Sequence, residues 1–279
     1  MSDLVVREHG RGTQVIITLH GGPAAAGDIA PLARELGKHW RVLEPYQRGS
    51  SSQPLSVATH AEDLDDLIEQ RTRGSRPILV GHSWGAMLAL AYAAAQPGSI
   101  SALVLIACGT FDSGAREVMR SEIESRMNEE LRQAIAKLPI RFPDPDARLK
   151  ALGELLLPLY SSDLATTDLE VQSCDSRAYE ETWADMLRLQ QEGIYPESFA
   201  GIGVPILMLH GARDPHPGTM IRRSLEPYLP QIEYLEWEHC GHYPWLEKAV
   251  REEFFAVLRT WLAGHFNSDR HPAPPPPSP

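Results

Sequence analysis

The stretch ILVGHSWGAMLALAYAAAQPGSISALVLI, residues 78–106, constrains the fold more than any other part of this 279-residue chain. A short apolar run enters a glycine-bounded turn, continues as an alanine-rich helix and ends in a second apolar run. Strand, helix and strand in that order form the crossover unit of a parallel sheet, which helices bury on both faces. The alternation extends in both directions. TQVIITLHGGP reads as a buried β-branched strand ending in a glycine loop, and RVLEP as a strand stopped by Pro45. DIAPLARELGKHW reads as a helix with Asp28 as its N-cap, and THAEDLDDLIEQRTR as a helix with apolar positions 61, 64, 67 and 68.

After Gly109 the texture changes. Residues 111–199 are helical, charged and interrupted by prolines, with no strong strand. Strand-and-loop patterning resumes at VPILMLHGARDP. A helix (TMIRRSLEPYL), a strand (IEYLEWE), the loop HCGHYP and a last helix starting at Trp245 follow. The fold class expected is therefore α/β, a mostly parallel doubly wound sheet interrupted by an α-helical insertion. The core should span 1–110 and 200–266, the insertion 111–199, and a proline-rich tail, disordered or polyproline-like, 267–279.

Gly81-His82-Ser83-Trp84-Gly85 is a G-x-S-x-G sequence, which arises by chance in roughly one chain in ten of this length. Its position between strand and helix gives it weight, because a turn that sharp lifts the serine hydroxyl above the carboxyl end of the sheet. A serine hydroxyl needs a base, and the base an orienting acid. His242 lies in a loop between the last strand and the last helix, and Asp214 in the loop after VPILMLHGA. The chain order Ser83, Asp214, His242 is the nucleophile–acid–base order of strand–turn–helix hydrolases. Oxyanion donors are expected from the backbone N–H of Trp84 and from the HGGP loop. Pro23 has no N–H, so Gly22 is the choice there and Gly21 the reserve. His82 and His210, flanking core strands, read as structural, and His216 as a surface-loop histidine. A rival metal set of His239, Cys240, His242 and His216 matches no strong zinc spacing. No metal and no cofactor is expected.

These residues resemble the α/β-hydrolase fold superfamily over about residues 4–266, with HGGP, GHSWGA, GARDP and CGHYPW in the family's order. The resemblance implies that the insertion is a cap, or lid, over the site. Within the superfamily, HGGPA, YQRGS and GHSWG are similar to the proline iminopeptidase branch, although Ala24 and Tyr46 stand where that branch has glycine and aspartate. That branch holds a substrate amino terminus with acidic lid residues; the candidates here include Glu122, Glu124, Glu180, Glu181 and Asp185. Trp183, Met186, Leu187 and Tyr160 are candidates to line the pocket or merely to pack the lid. Serine at the elbow, rather than the aspartate of related dehalogenases and epoxide hydrolases, implies acyl-enzyme chemistry on an ester, amide or N-terminal peptide bond. Alternatives are the same triad used for C–C bond hydrolysis, lyase or cofactor-free perhydrolase chemistry, or a non-catalytic ligand receptor.

Partners follow from charge. Lys and Arg total 26 against 37 Asp and Glu, a net charge of −11, which argues against nucleic acid and anionic membranes; the resemblance implies a small-molecule or short-peptide substrate. No signal peptide is expected from MSDLVVREHGRG, and three scattered cysteines suit a cytoplasmic location.

Overall fold

The computed structural model describes residues 4–23, 26–172 and 174–268. Its strands are β1 Val6–His9, β2 Val15–Leu19, β3 Arg41–Pro45, β4 Ile78–His82, β5 Ala102–Ile106, β6 Ile206–Gly211 and β7 Ile232–Trp237. They form one sheet in the order β1-β3-β2-β4-β5-β6-β7, in which only β1 runs antiparallel to its neighbour. The helices of the first half are α1 Ala30–Leu36, α2 Val57–Arg71 and α3 Trp84–Ala95. Between β5 and β6 lie α4 Ser113–Arg126, α5 Glu129–Ala136, α6 Leu138–Arg141, α7 Pro145–Tyr160 and α8 Ser176–Gln191, then a 3-10 turn at Glu197–Gly201. Helices α9 Gly218–Leu225 and α10 Arg251–Ser268 complete the chain.

Strand alternation divides the core in two. Ile17, Leu79, Leu103 and Leu105 face α2 and α3, whereas Ile16, Ile78, Val80, Val104 and Ile106 face α1 and α10. Central strands β2, β4, β5 and β6 are buried throughout, which explains their unbroken apolar sequences. Helix α3 is buried from Trp84 to Ala93 and so needs no polar face. Each buried leucine on it contributes roughly 2 kcal/mol of transfer free energy.

The segment between β5 and β6 behaves differently. Helices α4, α5, α7 and α8 are started by side-chain caps, with Asp112, Asn128, Asp144 and Asp175 each accepting a backbone N–H, and α5 buries no residue. It returns to the core through fully buried Phe199, which packs edge-on against Phe111 with centroids 5.1 Å apart.

Two expectations change and one strand was not expected. Asp28 does not cap α1, whose N-cap is Ile29 with no side-chain bond; its carboxylate is drawn instead to the Gly21 N–H and to His82. The last helix begins at Arg251 rather than Trp245, because Glu247 turns inward and its backbone oxygen accepts from the N–H groups of Val250 and Arg251. Strand β1, half-exposed and short, carried no periodic signal. Helix α10 runs to Ser268, and residues 269–279, most of the expected tail, lie outside the described residues.

Helix α3 approaches β2 so closely that a Cβ at Gly85 would stand 2.1 Å from the Leu19 carbonyl oxygen. Gly85→Ala should therefore lower stability by about 3 kcal/mol. Gly153→Ala, in α7 with nothing within 4 Å of the added carbon, should raise it by up to about 1 kcal/mol. Urea midpoints of the two variants measure both changes.

Candidate active site

Ser83 occupies the turn between β4 and α3 at φ 52° and ψ −116°, a conformation that costs a non-glycine residue roughly 1–3 kcal/mol. Surrounding bonds hold it there. Its N–H donates to the Ile106 oxygen at 2.9 Å, and its own oxygen accepts from Ala86 and Met87 at 3.1 and 3.3 Å. The flanking glycines serve close approach rather than unusual φ: a Cβ at Gly81 would meet the Gly85 oxygen at 2.3 Å. The Ser83 hydroxyl is part-exposed and makes no hydrogen bond to a described residue, His242 included.

Asp214 and His242 come together although 28 residues separate them. The loops after β6 and β7 pack backbone on backbone, since a Cβ at Gly211 would lie 2.3 Å from the oxygens of Cys240 and Gly241. His242 Nδ1 then donates to Asp214 Oδ2 at 2.6 Å, with both residues buried. The imidazole lies 4.7 Å from the ring of His82, the residue preceding Ser83, and 5.4 Å from that of Tyr160. His242 is thus buried beside the elbow rather than turned out into solvent.

Electrostatics set the protonation of this pair. Burial alone would raise the Asp214 pKa, but the imidazoles of His242 and His216 and their hydrogen bonds hold it well below the usual carboxylate range. Burial pushes His242 down to about 4, outweighing the neighbouring Asp214 charge. The resting pair is a carboxylate and a neutral imidazole with its proton on Nδ1, which leaves Nε2 with a free lone pair.

The HGGP loop sits beside the elbow. Gly21 N–H is occupied, donating to both carboxylate oxygens of Asp28 at 3.3 and 3.2 Å. Gly22 turns at φ 47°, and among the described residues its N–H and that of Trp84 have no acceptor. His20 and Gln47 lock this loop: Gln47 N–H donates to His20 Nε2 at 3.1 Å, and the Trp84 indole donates to Gln47 Oε1 at 2.7 Å.

Several site neighbours were missed or misplaced by the sequence. His216 is no surface histidine: its Nδ1 and its N–H both donate to Asp214 Oδ1, at 3.0 and 2.9 Å, and its ring stacks on His242 at 4.9 Å. The rival metal set is not assembled. His239 meets Arg213, and the Cys240 thiol, pushed up by burial, donates to Gly241 O. One donor atom from each of Asp214, His216 and His242 does lie within 4.8 Å of the others, but both imidazole Nδ1 atoms address the carboxylate as hydrogen-bond donors. Glu247 is a buried acid that accepts from the N–H groups of Gly241, Ser162 and Asp163 at 3.0, 2.8 and 2.5 Å, joining the His242 loop to the chain after α7. Nothing in the periodicity of an expected helix announced that role.

Among the pocket candidates, Tyr160 touches His242 and Trp183 packs edge-on against Trp84 with centroids 5.5 Å apart. Leu187 is half-buried, and Met186 is simply core. Of the five acids, Glu122 and Glu124 pair with Arg126 and Arg132. Glu181 accepts from Leu55 N–H and Asp185 from Val57 N–H, at 2.9 and 2.8 Å, while also pairing with Arg177 and Arg188. Glu180 is exposed.

A mostly parallel sheet with a strained serine after β4, an acid after β6 and an imidazole after β7 defines an α/β hydrolase. The alpha/beta hydrolase family matches residues 16–257, and the chain belongs to it. Its similarity to the proline iminopeptidase of Lactobacillus helveticus (strain DPC 4571) is 26% identity over 275 residues, covering 90% of each chain. In fold it is similar to an esterase from Exiguobacterium antarcticum, with a TM-score of 0.65 and 19% identity over 93% of this chain and 95% of that one. A thermophilic esterase from Thermogutta terrifontis superposes with a TM-score of 0.63 at 19% identity, over 94% and 93%.

Glu247→Ala leaves three backbone donors without their acceptor and should lower stability by about 3 kcal/mol. Glu247→Gln, which keeps one acceptor oxygen, should lose less, as chemical denaturation will show.

Proposed function

We propose that this protein is a cofactor-free serine hydrolase that forms an acyl-enzyme on a small ester or amide. The buried 2.6 Å bond between Asp214 and His242, with the ring turned toward the Ser83 elbow, carries the reading. Ser83 Oγ attacks the substrate carbonyl while His242 Nε2 takes its proton. Asp214 fixes the tautomer and favours the imidazolium as it forms. The N–H groups of Gly22 and Trp84 hold the oxyanion. His242 then protonates the leaving group, and water releases the acyl product by the same route. Residues 111–199 act as a cap over the core of 1–110 and 200–266; Tyr160 brings it onto the base. Three unpaired cysteines support a reducing, cytoplasmic location.

A second reading, hydrolysis of N-terminal peptide bonds, is favoured by the iminopeptidase relatives. Against it, four of the five cap acids considered for an amino terminus already have partners, and the fifth is exposed. Fluorophosphonate should label the wild-type protein stoichiometrically and fail on Ser83→Ala; an unlabelled wild type overturns the hydrolase reading. Turnover of p-nitrophenyl esters without prolyl-anilide supports the ester reading, and the reverse supports the peptidase.

The base works as a neutral imidazole, so the rate must fall as pH drops through its pKa. With His242 near 4, kcat/KM should hold through pH 6 and decline only toward pH 4. An acid limb at the ordinary histidine value of about 6.5 would contradict the buried, neutral base.

A further inference from the structure

His82 differs from the other buried histidines in what faces its two nitrogens. His20 has one acceptor, Gly21 O, and one donor, Gln47 N–H, so a neutral ring satisfies both. His60 and His210 each leave Nδ1 without a partner among the described residues. At His82, Nδ1 lies 3.0 Å from Asp28 Oδ2 and Nε2 lies 3.0 Å from the His242 carbonyl oxygen. A carboxylate and a carbonyl are both acceptors, so each contact calls for a proton. The ring is enclosed by His242, Tyr243 and Trp245, with centroids 4.7, 5.1 and 4.7 Å away, and water has little access to it.

The partners of this pair are the two loops that the reaction needs in register. Asp28 also accepts from Gly21 N–H, and Gly21 immediately precedes the oxyanion donor Gly22. A Cβ at Gly21 would stand 2.7 Å from Asp28 Oδ2 and 2.8 Å from His82 Nδ1, so the three groups are closely packed. On its other side, His82 holds the backbone of the base.

We propose that Asp28 and His82 are positioning residues for the hydrolysis, with a His82 ring that donates from both nitrogens tying the oxyanion loop and the His242 loop to the elbow. The role rests on the reading of Ser83, Asp214 and His242 given above. Burial would raise the Asp28 pKa, yet its hydrogen bonds and the neighbouring imidazoles bring it below the usual value, in keeping with an ionised carboxylate that accepts. Asp28 and His82 touch no reacting atom. Their effect is to set where the oxyanion donors and Nε2 stand relative to the Ser83 hydroxyl.

The first test is on the wild-type protein: ¹⁵N NMR of the histidine rings at neutral pH. Both His82 nitrogens should carry protons, and a lone-pair nitrogen there would overturn the proposal. The second uses variants that unfold cooperatively at near wild-type temperature. In His82→Asn the side-chain amide can still donate to Asp28 but no longer reaches the His242 carbonyl. Its kcat should fall about ten- to a hundred-fold, with KM within about two-fold. In Asp28→Asn the amide can accept from Gly21 and donate to a neutral His82, which still donates to His242, so most of kcat should survive. Asp28→Ala should lose it. An unchanged kcat in His82→Asn, or equal losses in Asp28→Asn and Asp28→Ala, would refute the positioning role. A wild type that takes no fluorophosphonate removes the hydrolase reading and with it the role, whereas the proton count of His82 is decided by NMR alone.

Discussion

The close approach of α3 to the end of β2 governs the rest of the site. Gly85 lies against the carbonyl oxygens of Leu19 and His20, a separation that no side chain could share. That contact forces the chain to leave β4 abruptly, places Ser83 at φ 52°, and sets the first turn of a buried helix beside the HGGP loop. The strain at Ser83 persists because the surrounding core leaves the residue no other conformation. Ser83 and the HGGP loop are neighbours for the same steric reason.

Three buried carboxylates then organise loops that the sheet alone would leave independent. Asp28 receives the amide before Gly22, Asp214 receives His216 and His242, and Glu247 receives the amides of Gly241, Ser162 and Asp163. Burying a charge without partners is costly, so each acid requires its set of donors, and each set fixes a loop.

The acidic face of α8 follows the same logic on a larger scale. Asp175 accepts from Ser50 N–H and hydroxyl, Glu181 from Leu55 N–H, and Asp185 from Val57 N–H, at the first turn of α2. These acids tie α8 to the chain around the start of α2. An amino group seeking these carboxylates would have to compete with backbone donors already in place.

Local patterning determined a good deal. Short β-branched apolar runs between turn signals read as central parallel strands, the glycine-serine-glycine turn sets a sharp strand-to-helix corner, and Ser83, Asp214 and His242 each follow the carboxyl end of a strand. Such signals are legible because strand period, turn sterics and the direction of a parallel sheet act over a few residues. What only the tertiary structure decided was how polar groups distant along the chain are shared. Asp28 left its helix end for His82, Glu247 left a helical stripe for three amides, and His216 joined Asp214 instead of solvent. A buried acid takes whichever donors the packed loops bring within about 3 Å, and that proximity is a property of the folded chain, with no period to betray it in the sequence.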